Sequence, residues 1–320
     1  MRCPLWLLLA LGCCGAGFPL EAQTNAHVHL LAPGFLIQEL PLRLPNLSCL
    51  RFTRNGRCFA LTREGQVLLL KDTDGDGLED KAAPFWDQPT LQAPVALAWS
   101  NEGLYVSSHG KISLLTDTDK NGQADTEEII ASGWPPIDRG GGGVDATGLT
   151  VDRRGNVYFA LRAADEANPY RLKEGAPHYD LNSPRGTVQK WNKETGKLET
   201  VAAGIRTAPS LAFNREGDLF CTDGESATSF AGGSPLDRLN HLSPGRHYGF
   251  PPAHDQYLPR LISEPPVLSF GPARQSVRAL LFNEKSPGRN SWGPASWDGD
   301  ALVSGESRGK IWRVDRKSVV

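Results

Sequence analysis

Asp72, Asp74 and Asp76 stand on alternate positions of "DTDGDGLED", with Asp80 just beyond, and Asp117, Asp119, Asn121 and Asp125 repeat the arrangement in "DTDKNGQAD". Oxygen donors at positions 1, 3, 5 and 9 of a turn, followed at position 6 by a glycine that permits a tight bend (Gly77, Gly122), suit a hard cation such as calcium. Carboxylates crowded this closely repel one another unless a cation or hydrogen-bond donors offset the charge. The second copy adds Glu128 at position 12, where a bidentate ligand belongs, whereas Ala83 stands there in the first. The competing reading is a solvated acidic turn. Strands precede both loops, so they are calcium-loop-like turns rather than helix-loop-helix hands, and a metal in them would be structural.

Other chemistry is thinly signalled. His27, His29, His109, His178, His241 and His254 are scattered without metal-ligand spacing, and no C-x-x-C or C-x-x-C-H occurs. Cys3, Cys13 and Cys14 fall in the leader described below. Cys49 and Cys58 flank a turn at Asn55-Gly56, and pairing across it sets Cys58 opposite Thr53, with Cys49 about 13 Å further along. Together with Cys221 they read as buried thiols rather than a disulfide.

The elements that position these residues repeat. "LRFTRNGRCFAL" then "GQVLLLKD", "VALAWSNEGLYVSS" then "GKISLLTD", and "TGLTVDRRGNVYFAL" then "GTVQKWNK" share one plan: alternating strand, polar turn ending in Gly, second strand, third strand opening on Gly. "PSLAFNREGDLFCTD" with "RLNHLSPG", and "SWDGDALVSGESRGKIWRV", continue it. Asp72 and Asp117 lie 45 residues apart (72 to 117), the period of a four-stranded propeller blade. The expected fold is therefore an all-β propeller with five blade repeats visible, longer in its later units through insertions at 162–185 and 224–262. "GFLIQEL" (34–40) reads as a strand that would complete the last blade. Either the ring has five blades, or a sixth is missing and the last blade is truncated.

Composition agrees with a turn-rich globular chain. Of 320 residues 39% are hydrophobic and 22% charged, with 34 Gly and 24 Pro. A net charge of −2 without a basic run predicts no nucleic-acid partner. Residues 1–22, with Arg2 ahead of an apolar run from Leu5 to Leu11, read as an export signal cleaved after Gly17 or Ala22. "ALGC" at Cys13 offers a lipoprotein-type alternative, so the chain is expected in the periplasm or outside the cell, free or lipid-anchored. No later apolar run is long enough for a transmembrane helix in the mature chain. Residues 30–320 read as a single propeller domain.

Taken together, "DTDGDG", "TGLTVDRRGNVYFAL", "GIRTAPSLAFNREGDLFCTD" and "SPGRHYGFPP" resemble the glucose/sorbosone dehydrogenase family of secreted propellers over roughly residues 30–316. The variety most like it occurs in membrane-associated dehydrogenase-like proteins that often carry a c-type haem domain. The resemblance implies a six-bladed propeller and, in active members, pyrroloquinoline quinone (PQQ) held on the top face with calcium. Such members oxidise a sugar or alcohol by hydride transfer, and a c-type cytochrome would accept the electrons.

The family's base is a His, and in the matching stretch "GGGGVDATGL" its place is taken by Asp145. A desolvated carboxylate can act as a general base; the alternative is a turn residue and a lost base. Arg206 matches the arginine that faces the quinone, the alternative being a salt bridge on the rim. Asp223 and Glu225, in "CTDGESA", stand where the family places ligands of the cofactor's calcium, although its common Gly-Pro is absent. In "GRHYGFP", Arg246 and His247 are candidates to face the pocket, while Tyr248 and Phe250 either join them or pack between blades. Arg278 and Arg308 are weaker pocket candidates. Three functional classes follow: a quinone-dependent sugar or alcohol dehydrogenase, with the missing His counting against activity; a calcium-stabilised binding or scaffold propeller without catalysis; and a calcium-dependent lactonase-like hydrolase.

Overall fold

In a computed structural model, the described residues are 35–44, 46–53, 55–134, 144–163, 172–173, 176–177, 183–224, 236–250, 260–271, 275–285, 291–307 and 309–318. They form five antiparallel blades arranged as a β-propeller, and among them there is no α-helix. Blade 1 comprises β1 (Leu47–Phe52), β2 (Cys58–Thr62), β3 (Val67–Lys71) and β4 (Lys81–Trp86); blade 2 comprises β5 (Ala96–Trp99), β6 (Leu104–Ser108), β7 (Lys111–Thr116) and β8 (Thr126–Ser132). Blade 3 is built from β9 (Ala146–Val151), β10 (Val157–Leu161), β13 (Thr187–Trp191) and β14 (Leu198–Ala203), with a small hairpin, β11 (Leu172–Lys173) and β12 (Ala176–Pro177), inserted before β13. Blade 4 holds β15 (Ser210–Phe213), β16 (Leu219–Asp223), β17 (Asp237–Leu242) and β19 (Leu268–Phe270). Between these last two, β18 (Arg246–His247) crosses back to pair in parallel with β14. Blade 5 has three strands among the described residues: β20 (Val277–Phe282), β21 (Ala301–Gly305) and β22 (Lys310–Val314).

The core lies between blades. Phe59, Leu61, Val67 and Phe85 of blade 1 share one buried cluster with Leu97, Leu104, Val106 and Leu115 of blade 2. Similar clusters join blade 2 to 3, 3 to 4 and 4 to 5. Strand alternation puts these apolar side chains on sheet faces that water cannot reach once the neighbouring blade is in place. Each innermost strand packs against the next, from β1 through β5, β9 and β15 to β20.

Gly148, within β9, has φ +48°, and a Cβ there would come within 2.6 Å of the Ala208 carbonyl oxygen next to blade 4. Only glycine allows the third and fourth blades to approach this closely.

Two sequence expectations need correction. Residues 34–40 were expected to form a strand. Instead Ile37 makes only an isolated bridge, and Phe35 stacks on Trp292 (4.3 Å between ring centroids) and Trp297 (5.3 Å), in the connection between β20 and β21. The segment thus meets the last blade through stacked aromatic rings. In the first hairpin Cys58 pairs with Phe52, not Thr53, and Cys49 pairs with Leu61. Gly56 at φ +85° closes a three-residue loop between Thr53 and Arg57, shifting the register expected for a two-residue turn. Cys49, Cys58 and Cys221 are free thiols.

Candidate functional site

Successive antiparallel strands send alternate connections to opposite ends of a blade. Both acidic loops join the third strand of a blade to its fourth, so they share one face. In the first, Asp72 accepts the amides of Gly75 (2.7 Å) and Gly77 (2.9 Å); in the second, Asp117 accepts those of Asn121 (3.0 Å) and Gly122 (2.9 Å). The backbones match, with Gly75 and Gly77 at φ +80° and +90° and Lys120 and Gly122 at +59° and +95°. Asp74 accepts the amide of Asp76, Asp76 that of Leu78, and Asp119 both the amide and the side-chain nitrogen of Asn121.

Carboxylate oxygens of Asp72, Asp74 and Asp76 lie within 4.8 Å of one another, as do those of Asp117, Asp119 and Asp125. Oxygen-only, acidic donors at this separation suit calcium. Asp80 is instead clasped by Thr73, through its amide (3.0 Å) and hydroxyl (2.8 Å), and Asp125 is held in the same way by Thr118 (3.2 and 2.6 Å). The threonine hydroxyl holds each of these two carboxyls below the usual Asp value. Glu128 is exposed on β8 opposite Leu114, outside the second trio.

The other end of the blades carries the residues expected at the mouth. Asp145, immediately before β9, is 1% exposed. Its carboxylate accepts the indole N–H of Trp134 (2.5 Å) and the amide of Gly110 in the β6–β7 turn (3.0 Å), and it pairs with the Arg185 guanidinium. Arg206, between β14 and β15, is 2% exposed, and its guanidinium lies over the Phe250 ring at 5.7 Å. Its amide and that of Thr207 donate to the Asp223 carboxylate (3.1 and 3.0 Å). Burial pushes the Asp223 carboxyl up, against the pull of these amides and of the Arg206 charge. Arg162, just after β10, is held below its usual value first by burial and then by the nearby charges of Arg206 and Arg278.

Arg206, Asp223, Arg238, Tyr248 and Phe250 enclose a cavity of about 20 Å³, room for about one water. The Tyr248 hydroxyl is engaged by the fold, accepting the Ser243 amide (2.8 Å) and donating to the His241 carbonyl (2.6 Å). His247 packs at the outer edge of blade 3 against Gly204, whose missing Cβ would otherwise overlap the ring. Arg246 is exposed and pairs with Glu264 (3.3 Å). The structure therefore brings Asp145, Arg206, Asp223 and Tyr248 to one region and leaves Arg246 and His247 behind it. Arg278 is exposed beside Glu306 (2.8 Å). Glu225 and Arg308 lie outside the described residues.

Sequence reasoning missed Trp134, Arg162, Arg185 and Arg238. Arg162 carried a usable signal, a charge directly after the buried strand "VYFAL". The pairing of Arg185 with Asp145 had none, because it joins residues of two different connections.

Solved structures share this fold. The PQQ-bound aldose sugar dehydrogenase of Streptomyces coelicolor is 15% identical with a TM-score of 0.61, covering 85% of this chain and 78% of that one. The soluble aldose sugar dehydrogenase of Escherichia coli, in its apo form, is 16% identical with a TM-score of 0.58, covering 84% and 85%. The holo PQQ domain of pyranose dehydrogenase from Coprinopsis cinerea is 11% identical with a TM-score of 0.59, covering 84% and 78%. At these identities the likeness is one of fold. No curated protein matches the sequence. Residues 52–260 match the family described as a domain of unknown function, DUF7133, and the chain belongs to that family.

Proposed function

We propose that this chain is an exported, dehydrogenase-like propeller whose mouth takes a carboxylated quinone of the pyrroloquinoline type, with Arg206 and Arg162 supplying positive charge beneath it. The observation that carries this reading is the buried Arg206 guanidinium at one end of the blades, set over the Phe250 ring and lining one small cavity with Asp223 and Arg238. Guanidinium groups match carboxylates in shape. Proteins of the same fold from S. coelicolor and C. cinerea bind that quinone. Bound here, it would supply the acceptor for hydride leaving a sugar or alcohol carbon. Asp223, with Glu225, is the proposed oxygen ligand for accompanying calcium; a divalent cation beside Asp223 would favour its ionised form. Residues 1–22 are proposed as the export signal, residues 30–320 as one domain, and a c-type cytochrome as the electron acceptor.

Asp145 fits less well as a base. Three donors already occupy its carboxylate, so a substrate hydroxyl would have to displace one of them. This favours a second reading, in which the mouth binds an anion without redox chemistry and Asp145 positions Arg185.

Reconstitution separates the two. The purified protein is given calcium and PQQ, binding is followed by the cofactor's absorbance, and dye reduction is assayed with aldoses and alcohols. Cofactor-dependent reduction supports the dehydrogenase reading, and binding without reduction supports the second. Failure of PQQ to bind, or unchanged affinity in Arg206→Gln, removes the quinone from both.

A further inference from the structure

On the face opposite the mouth, blades 1 and 2 enclose a cavity of about 360 Å³. The β1–β2 turn contributes Arg57, β4 contributes Phe85 and β5 contributes Trp99; Glu102 follows in the β5–β6 turn, and Asp117 and Lys120 come from the second acidic loop. We propose that this cavity is a binding site for a small hydroxylated monocarboxylate of sugar size, anchored by Arg57.

The argument starts from unbalanced charge. The Arg57 guanidinium lies 4.9 Å from the Phe59 ring, 5.4 Å from Trp99 and 5.8 Å from Phe85, and among the described residues its side chain has no ion pair or hydrogen bond. Ring faces attract the cation but cannot accept all five N–H donors. Both carboxylates of the wall already have partners. Glu102 pairs with Lys193 and accepts the Tyr105 hydroxyl (3.0 Å), while Asp117 accepts two loop amides. Lys120 is exposed, with no side-chain partner among the described residues.

What remains for a ligand to answer is one planar cationic fork and one point charge. A carboxylate matches the fork with two parallel hydrogen bonds. A phosphate dianion would meet stronger repulsion from Glu102 and Asp117 than a monoanion does. Trp99, half-buried beside the buried Phe85, offers apolar surface to a ring, and Glu102 retains acceptor capacity for hydroxyl groups. The volume falls within the range of about 300–1,000 Å³ typical of small-molecule sites. The six residues of β7 put about 20 Å between this cavity and the mouth, so the proposal stands independently of the quinone reading.

The test is calorimetric titration of the full chain, in calcium-free buffer, with D-glucuronate, D-glucose and inorganic phosphate as probes. Glucuronate is expected to bind, glucose at equal concentration is not, and phosphate is expected to bind at least about tenfold more weakly. Arg57→Gln should lower glucuronate affinity about tenfold or more, and Lys120→Asn, which keeps a residue tolerant of positive φ, about threefold. If Arg57→Gln does not fold, Lys120→Asn and the shift of the Trp99 indole proton on titration decide. Absence of glucuronate binding, equal binding of glucose or phosphate, unchanged affinity in a folded Arg57→Gln, or an unmoved Trp99 signal would each overturn the proposal.

Discussion

The carbonyl oxygens of Asp145 and Arg206 accept hydrogen bonds from two consecutive amides, those of Arg162 (3.2 Å) and Ala163 (2.9 Å). The two residues that the sequence put forward for the mouth are thus fixed relative to one another through the backbone leaving β10. Their side chains diverge, Asp145 toward Trp134 and Arg185 and Arg206 toward Phe250.

Because Asp145 is a buried ion-pair partner of Arg185, Asp145→Asn should destabilise the protein by about 1–3 kcal/mol, the range for losing a buried hydrogen bond to a charged group. Urea denaturation measures the loss. Combining it with Arg185→Met should cost less than the sum of the two single changes, since the pair is lost only once; strict additivity of the two would show that the pair does not interact.

Calcium should raise the melting temperature of the wild-type chain by binding the folded loops alone. Asp74→Asn and Asp119→Asn should each diminish the rise, whereas Glu128→Gln should leave it unchanged, because Glu128 sits up β8 and apart from the trio. Thermal melts across a calcium titration would expose a mistaken geometry if Glu128→Gln proved as damaging as Asp119→Asn.

The Thr73–Asp80 and Thr118–Asp125 clasps make the loops acid-sensitive. Both carboxyls are held below the ordinary Asp value, chiefly by the threonine hydroxyls. A carboxyl whose pKa is lower folded than unfolded contributes stability that is complete above the unfolded value, about 3.9. That contribution fades as pH falls through the folded value. Thr118→Val should therefore flatten the stability–pH curve below about pH 4 and leave the slope above it unaltered, as followed by circular dichroism in calcium-free buffer.

Gly148→Ala should cost more than substitution at a positive-φ glycine with open space around it. A Cβ meets the Ala208 carbonyl oxygen at 2.6 Å, and φ +48° disfavours any L side chain. A loss of about 1–3 kcal/mol from backbone strain alone is expected, with separation of blades 3 and 4 adding to it. In contrast Gly110→Ala, with open space around its Cβ, should show only the conformational part. Denaturant midpoints of the two variants give the comparison.

Local pattern in the chain was sufficient to declare the blades. Alternating apolar residues with glycine-ended turns recur, and burial on sheet faces follows from that alternation, so the blade repeat was legible. The acidic turns were legible for the same reason, since an Asp that accepts an amide two to five residues on acts through its own neighbourhood. What the linear order left undecided was which distant residues meet. Asp145 reads as a turn residue or a base until the fold delivers Trp134, Gly110 and Arg185 to its two oxygens. Arg57 reads as a hairpin charge until rings from two blades surround it. Partners of that kind are chosen by how sheets stack about an axis, and stacking depends on the fit of whole faces, which spacing along one chain does not encode.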